Sequence, residues 1–181
     1  MTQESKKKSN NDSTNDQSND NNSSETSVKD GELLAKGKVR VFVYGSLKQN
    51  CGNNVLLQQT EAKFLGYDSI TGDFSMMSFG GFPGVVRIKE GLVVHTIFGE
   101  VWATDEEGLA CLDMLESHPN WYERRKYRTD VLDYRAWMYT LPGGQGYLDK
   151  GRYTQVTSCI WHPTDEEIGF WDGHFGVEKN D

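Results

Sequence analysis

Glycine and proline cut this chain into short apolar runs, and that punctuation limits the fold more than any other feature of the sequence. Val39-Arg-Val-Phe-Val43 is one such run, and the chain reaches Gly45 just after it, so it reads as a largely buried strand entering a tight turn. Residues 54–59 suit a short helix. Residues 61–74 alternate imperfectly and are interrupted at Gly66 and Gly72, which predicts one or two strands. Gly80-Gly-Phe-Pro-Gly84 reads as a turn, and 85–88 and 92–102 as strands joined in a hairpin through Glu90-Gly91. Strands over 127–132 and 136–141 flank a turn at Asp133-Tyr134. A Pro142–Gly146 loop leads to a further strand over 153–161.

One stretch carries strong helix signals. Thr104-x-x-Glu107 predicts a capping box, with Asp105 and Glu106 adding negative charge where a helix start favours it. Leu109, Leu112 and Leu115 mark an apolar face, and Pro119 closes the helix near Ser117. A second box, Thr164-x-x-Glu167, opens residues 164–175, but Gly169 and Gly173 oppose a long helix there. Many strands on short connections with one late helix predict an α+β domain. Its sheet should be small, mostly antiparallel and curled toward a barrel, with one or two short helices packed on it.

Residues 1–30 contain no aromatic residue, and Val28 is their only branched aliphatic one. Such a stretch cannot bury enough apolar surface to offset the entropy of ordering. Residues 1–35 are therefore expected to be a disordered polar tail, and 36–181 one soluble domain. Lys6-Lys-Lys8 runs into polar residues, unlike a secretory leader. Residues 1–30 hold four Lys and six Asp or Glu, so most of the net charge of −8 belongs to the remainder. An acidic domain is a poor fit to nucleic acid or an anionic membrane, and no apolar run is long enough to span a bilayer. Three widely spaced cysteines fit a reducing, cytoplasmic setting. Cys111 and Cys159 are expected in the core, and Cys51 in a polar loop. The oligomeric state is not readable, with a monomer as the default.

Glu116 is the odd residue of the predicted helix. It shares a face with Leu109 and Leu112, so its carboxylate should be partly desolvated and its pKa raised. Its place at the helix C-terminus, and like charge from Asp113, would push the same way. A carboxylate tuned upward suits proton exchange near neutral pH. The alternative is a solvent-edge ion pair with Arg124 or Arg125. After the first strand, Tyr44-Gly-Ser-Leu47 could expose consecutive backbone N–H groups to an anion, or could be an ordinary turn. Neither a P-loop nor a nucleophile elbow is present. His95, His118, His162 and His174 lack the close pairing of a zinc site, so no metal is expected. The tryptophans at 121, 137, 161 and 171 read as core or pocket wall.

These pieces fall into a recognisable order. Val41-Phe-Val-Tyr-Gly-Ser-Leu-Lys48, Phe82-Pro-Gly-Val-Val86, Gly99-Glu-Val-Trp102 and Leu112-Asp-Met-Leu-Glu-Ser-His-Pro-Asn-Trp-Tyr-Glu-Arg124 resemble, in sequence, the motifs of the γ-glutamylcyclotransferase-like superfamily. The AIG2-like or γ-glutamylamine cyclotransferase branch is the most similar. Where that family usually has Gly after its Glu, this chain has Ser117. The resemblance implies a barrel-like fold with a cavity and Glu116 as the acid/base. It also implies a small γ-glutamyl substrate bound by Tyr44, Gly45, Ser46, Leu47, Pro83, Tyr122 and Arg124, and a reaction without metal or cofactor that releases 5-oxoproline. A non-catalytic binding module on the same fold is the competing expectation. A hydrolase using Ser46 or Cys51 is a weaker one, since neither has a matched His.

Overall fold

The protein is described by a computed structural model covering residues 34–79, 81–88, 91, 94–144, 146–147 and 153–162. Residues 1–33 of the polar tail and the segment 164–175, with Trp171 and His174, lie outside the described residues. Ten elements follow in order: β1 (Lys38–Val43), α1 (Asn54–Gln59), β2 (Lys63–Gly72), β3 (Phe74–Ser78), β4 (Pro83–Arg87), β5 (His95–Asp105), α2 (Glu106–Leu115), β6 (Glu123–Arg128), β7 (Arg135–Thr140) and β8 (Thr154–Gln155).

The fold is α+β and mostly antiparallel, in two sheets that do not close into one barrel. The larger has the strand order β2-β5-β1-β7-β6 and the smaller β4-β3-β8. β1 sits at the centre of the large sheet, antiparallel to β5 and parallel to β7. A strand covered on both faces needs apolar side chains in both directions, which explains its nearly unbroken apolar run. Gly66 falls at a register shift in the β2–β5 ladder, so the interruption read in the sequence is a bulge inside one long strand. A parallel bridge between Val86 and Leu141, with Leu141 N–H donating to Val85 O at 2.8 Å, ties the two sheets together.

Alternation along β1 divides the core. Val41 and Val43 face Leu57 of α1 and Leu109 and Leu112 of α2, together with Trp102. Phe42 faces Phe74, Met76 and Val85 of the small sheet, with Ile70, Ile97, Val101 and Met138. Burying each Leu or Phe contributes about 1.5–3 kcal/mol, so both faces of the large sheet are well covered.

Several local expectations are corrected. β4 pairs with β3, and β5 pairs with β2 and β1, so residues 85–102 do not form the predicted hairpin. The partners of both strands lie elsewhere in the chain, which local turn signals cannot reveal. The cap of α2 is Asp105, whose Oδ1 accepts from Gly108 N–H at 2.9 Å. Thr104 stays in the ladder opposite Val39, and a Cβ on Gly108 would come within 2.0 Å of its hydroxyl oxygen. Residues 153–161 contribute only the two-residue β8 before the chain turns. Cys51 and Cys159 are buried and Cys111 is half-buried, so Cys51 rather than Cys111 joins Cys159 in the core. Among the described residues no helix is long and apolar enough to cross a membrane.

Candidate active site

The end of β1 is fixed by a buried tyrosine. The Tyr44 hydroxyl donates to Tyr139 O at 2.9 Å and accepts from Val85 N–H at 3.2 Å, joining β1 to β7 and β4. The turn that follows has an ordered polarity. The Gly45 carbonyl accepts from Lys48 N–H at 3.0 Å, and the Ser46 carbonyl from Asn53 N–H at 3.0 Å. The Leu47 carbonyl accepts from Asn54 Nδ2 at 2.8 Å. All three carbonyls are thus engaged, while the N–H groups of Gly45, Ser46 and Leu47 meet no acceptor among the described residues. Successive amides left in this way make a concave donor site for an anion. The Ser46 hydroxyl accepts from Asn53 Nδ2 at 2.9 Å, which gives it a turn-bracing partner. Gly45 is required by close packing: a Cβ there would lie 2.8 Å from Pro83 Cγ.

Across the cavity, α2 ends at Glu116. Ser117 has φ +51°, the left-handed conformation that favours glycine. His118 N–H donates to Asp113 O at 2.9 Å and Ser117 N–H to Met114 O at 3.2 Å, the paired bonds of a Schellman ending. The backbone therefore takes the shape a glycine would take, with serine bearing the conformational cost of about 1–2 kcal/mol. This ending sets the direction in which the partly buried Glu116 side chain leaves the helix.

Glu116 and the turn line one cavity of about 290 Å³, together with Tyr44, Pro83, Tyr122 and Tyr139. The volume suits a compact small molecule. Burial raises the Glu116 pKa from 4.5 to about 7. Burial is also the first cause that holds the phenols of Tyr44, Tyr122 and Tyr139 protonated, and the charge of Glu116 adds to it for each. Their protons are committed: Tyr122 donates to Pro83 O at 2.8 Å and Tyr139 to Asp113 Oδ1 at 2.7 Å. The tyrosines are thus walls and braces, and Glu116 is the group that titrates near neutral pH.

Of the residues expected from sequence, Glu116, Tyr44, Gly45, Ser46, Leu47, Pro83 and Tyr122 come together on this cavity. Arg124 is placed elsewhere. Its Nε donates to Asp113 Oδ1 at 2.7 Å, and its guanidinium lies 4.5 Å over the Trp137 ring. Arg125 pairs with Glu123, so neither arginine pairs with Glu116. Asp113 is occupied by Arg124 and Tyr139, and it is not what raises the Glu116 pKa. Two further residues, Glu100 and Lys48, emerge only from the structure. Fully buried Glu100 accepts from Gln49 N–H at 3.0 Å and from Trp102 Nε1 at 2.9 Å, holding the chain just beyond the turn. Lys48, also fully buried, donates to Trp161 O at 2.6 Å. The available signal is a Glu set between Gly99 and Val101 in the apolar middle of β5. Among the described residues no cluster of His, Cys, Asp and Glu is placed to hold a metal ion.

Comparison with known proteins places the chain in a family. The γ-glutamyl cyclotransferase, AIG2-like family matches residues 41–162. The γ-glutamylcyclotransferase family protein YtfP of Escherichia coli is 37% identical over 101 residues, covering 56% of this chain and 80% of that protein. An AIG2-like protein from Mus musculus superposes with a TM-score of 0.52 at 24% identity, covering 58% of this chain and 78% of its own. An uncharacterized protein from Pyrococcus horikoshii superposes at 0.53 and 24% identity, over 75% and 97%. With the family's match spanning the turn, both sheets and the Glu116 helix end, this chain belongs to the γ-glutamyl cyclotransferase, AIG2-like family.

Proposed function

We propose that the protein releases 5-oxoproline and a free amine from a γ-glutamylamine or γ-glutamyl peptide, with Glu116 as acid and base. The observation that carries this reading is a carboxylate with pKa about 7 sharing a small cavity with a turn whose amides meet no acceptor among the described residues. A γ-glutamyl compound holds its own nucleophile, the α-amine, at the distance that closes a five-membered ring on the γ-carbonyl. The amine arrives as an ammonium, and ionised Glu116 takes one proton so that nitrogen can attack. The same proton passes to the departing nitrogen, and a second leaves the new ring nitrogen. The two protons lost by the α-nitrogen equal the two gained by the amine as it leaves as ammonium.

A positioned carboxylate contributes about 10²–10⁴-fold to such transfers. Holding the glutamyl chain bent contributes more, since near-attack placement is worth roughly 7–11 kcal/mol. The amides of Gly45, Ser46 and Leu47 take the α-carboxylate in this scheme, and Pro83 and Tyr122 wall the chain. Arg124 acts on the helix end rather than on substrate. The test is 5-oxoproline release from γ-glutamyl-ε-lysine, γ-glutamyl amino acids and glutathione. Product from the wild type and its loss in Glu116→Gln are expected; undiminished product from the variant would remove Glu116 from the chemistry.

A further inference from the structure

Three large apolar side chains stand half-exposed where the cavity opens: Phe82 at 40%, Leu115 at 42% and Trp121 at 47%. Single exposed apolar residues are ordinary, but three bordering one cavity make an apolar rim around a reactive group. Phe82 is held flat against Phe79, with ring centres 5.5 Å apart and planes 3° from parallel, so the rim has a preformed aromatic face. Charge at this rim is one-sided. Among the described residues Glu116 is the only charged residue lining the cavity. The nearby cation of the same segment, Arg124, is held by Asp113 and Trp137.

This arrangement discriminates between leaving amines. An amine that carries a carboxylate brings a second anion toward Glu116 and gives up its hydration against aromatic rings. An amine with an apolar body buries that body on Phe82, Leu115 and Trp121 and loses little. We propose that the preferred substrates are γ-glutamyl amides of apolar amines of about aromatic size that lack a carboxylate, with Trp121 and Phe82 selecting the acceptor. The proposal rests on the cyclotransferase reading above and adds the class of amine.

Three substrates separate the variables. γ-Glutamyl-phenethylamide carries the apolar body. γ-Glutamyl-phenylalanine is the same compound with a carboxylate added, and γ-glutamyl-methylamide lacks the ring. The phenethylamide should exceed each of the others in kcat/KM by roughly tenfold or more. Trp121→Ala should shrink the phenethylamide-to-methylamide ratio, and Phe82→Ala, on a separate segment, should do the same. Trp121→Arg should raise γ-glutamyl-phenylalanine relative to the phenethylamide. Equal rates, or a preference for the carboxylate-bearing compound, with Glu116-dependent 5-oxoproline still formed, would overturn the assignment of the acceptor and leave the cyclotransferase reading intact. Absence of 5-oxoproline from all three with folded wild type would overturn both.

Discussion

Asp113 Oδ1 accepts from Arg124 Nε and from the Tyr139 hydroxyl, each at 2.7 Å, three residues before the carboxylate that faces the cavity. The pair is largely shielded, with side-chain exposures of 20% and 23%, so it belongs above the class of surface ion pairs worth almost nothing. It joins the last turn of α2 to β6 and β7 and thereby fixes where Glu116 sits.

Removing either partner should therefore be felt twice. Arg124→Ala and Asp113→Asn should each cost about 1–2 kcal/mol in urea denaturation, and the double variant less than the sum. If Arg124 braces the helix end, the two variants should lower kcat by similar factors. A rise in KM confined to Arg124→Ala would instead mark direct contact with substrate.

Activity should follow the ionisation of Glu116. Because burial holds its pKa at about 7, kcat/KM should rise with pH through neutrality as the base form accumulates. Glu116→Gln should lose about 10²–10⁴-fold and the inflection with it. Initial rates across a pH series measure both.

The same burial has a stability cost with a definite sign. Folded Glu116 holds its proton up to about pH 7, whereas the unfolded group releases it near 4.5. Below pH 4.5 the carboxyl is neutral in both states and costs nothing. As pH rises from there through 7 the folded state loses stability, and above 7 the full penalty applies. Allowing for partial exposure, that penalty is about 2 kcal/mol. Glu116→Gln should therefore raise the melting temperature at pH 8 and change it little at pH 4.5, as thermal melts at the two pH values would record.

Gly45→Ala should fold but work poorly. A methyl 2.8 Å from Pro83 Cγ forces the turn and the Pro83 wall apart, misplacing the amides. A shift of about 1 Å in a positioning group can cost about 10²-fold, so kcat/KM should fall by that order. Circular dichroism and steady-state rates separate the two effects.

Ser117→Gly should stabilise the protein by about 1 kcal/mol, because φ +51° suits glycine and the Schellman bonds remain. Ser117→Val should cost at least as much in the other direction. Denaturant midpoints check both.

The sequence showed the parts whose reasons are local. The apolar run of β1, the Leu109/Leu112 face and the position of Glu116 on it follow from periodicity, and the structure keeps them. What it hid depends on distant partners. Residues 85–102 look like a hairpin because Glu90-Gly91 is turn-like, yet the pairing of each strand is decided by β3, β2 and β1. Thr104 has the spacing of a cap, but its ladder position opposite Val39 leaves that task to Asp105. Asp113 looked like a neighbour that repels Glu116, because Arg124 and Tyr139 approach it only after β6 and β7 fold back. Glu100 and Lys48 stand in segments already singled out, but burial of a charge cannot be read from its neighbours in the chain.

The turn after β1 has turned its three carbonyls to protein partners, while its amides meet no acceptor among the described residues. Amides are common to nearly all residue types, so replacing Ser46 or Leu47 leaves their number unchanged. If the proposed acceptor site holds, a descendant of this chain could change Phe82, Leu115 and Trp121, and with them the amine it releases, without rebuilding the turn behind. On the proposed reading, a change of acceptor needs new residues only at the entrance, while the turn itself requires little more than the bend at Gly45.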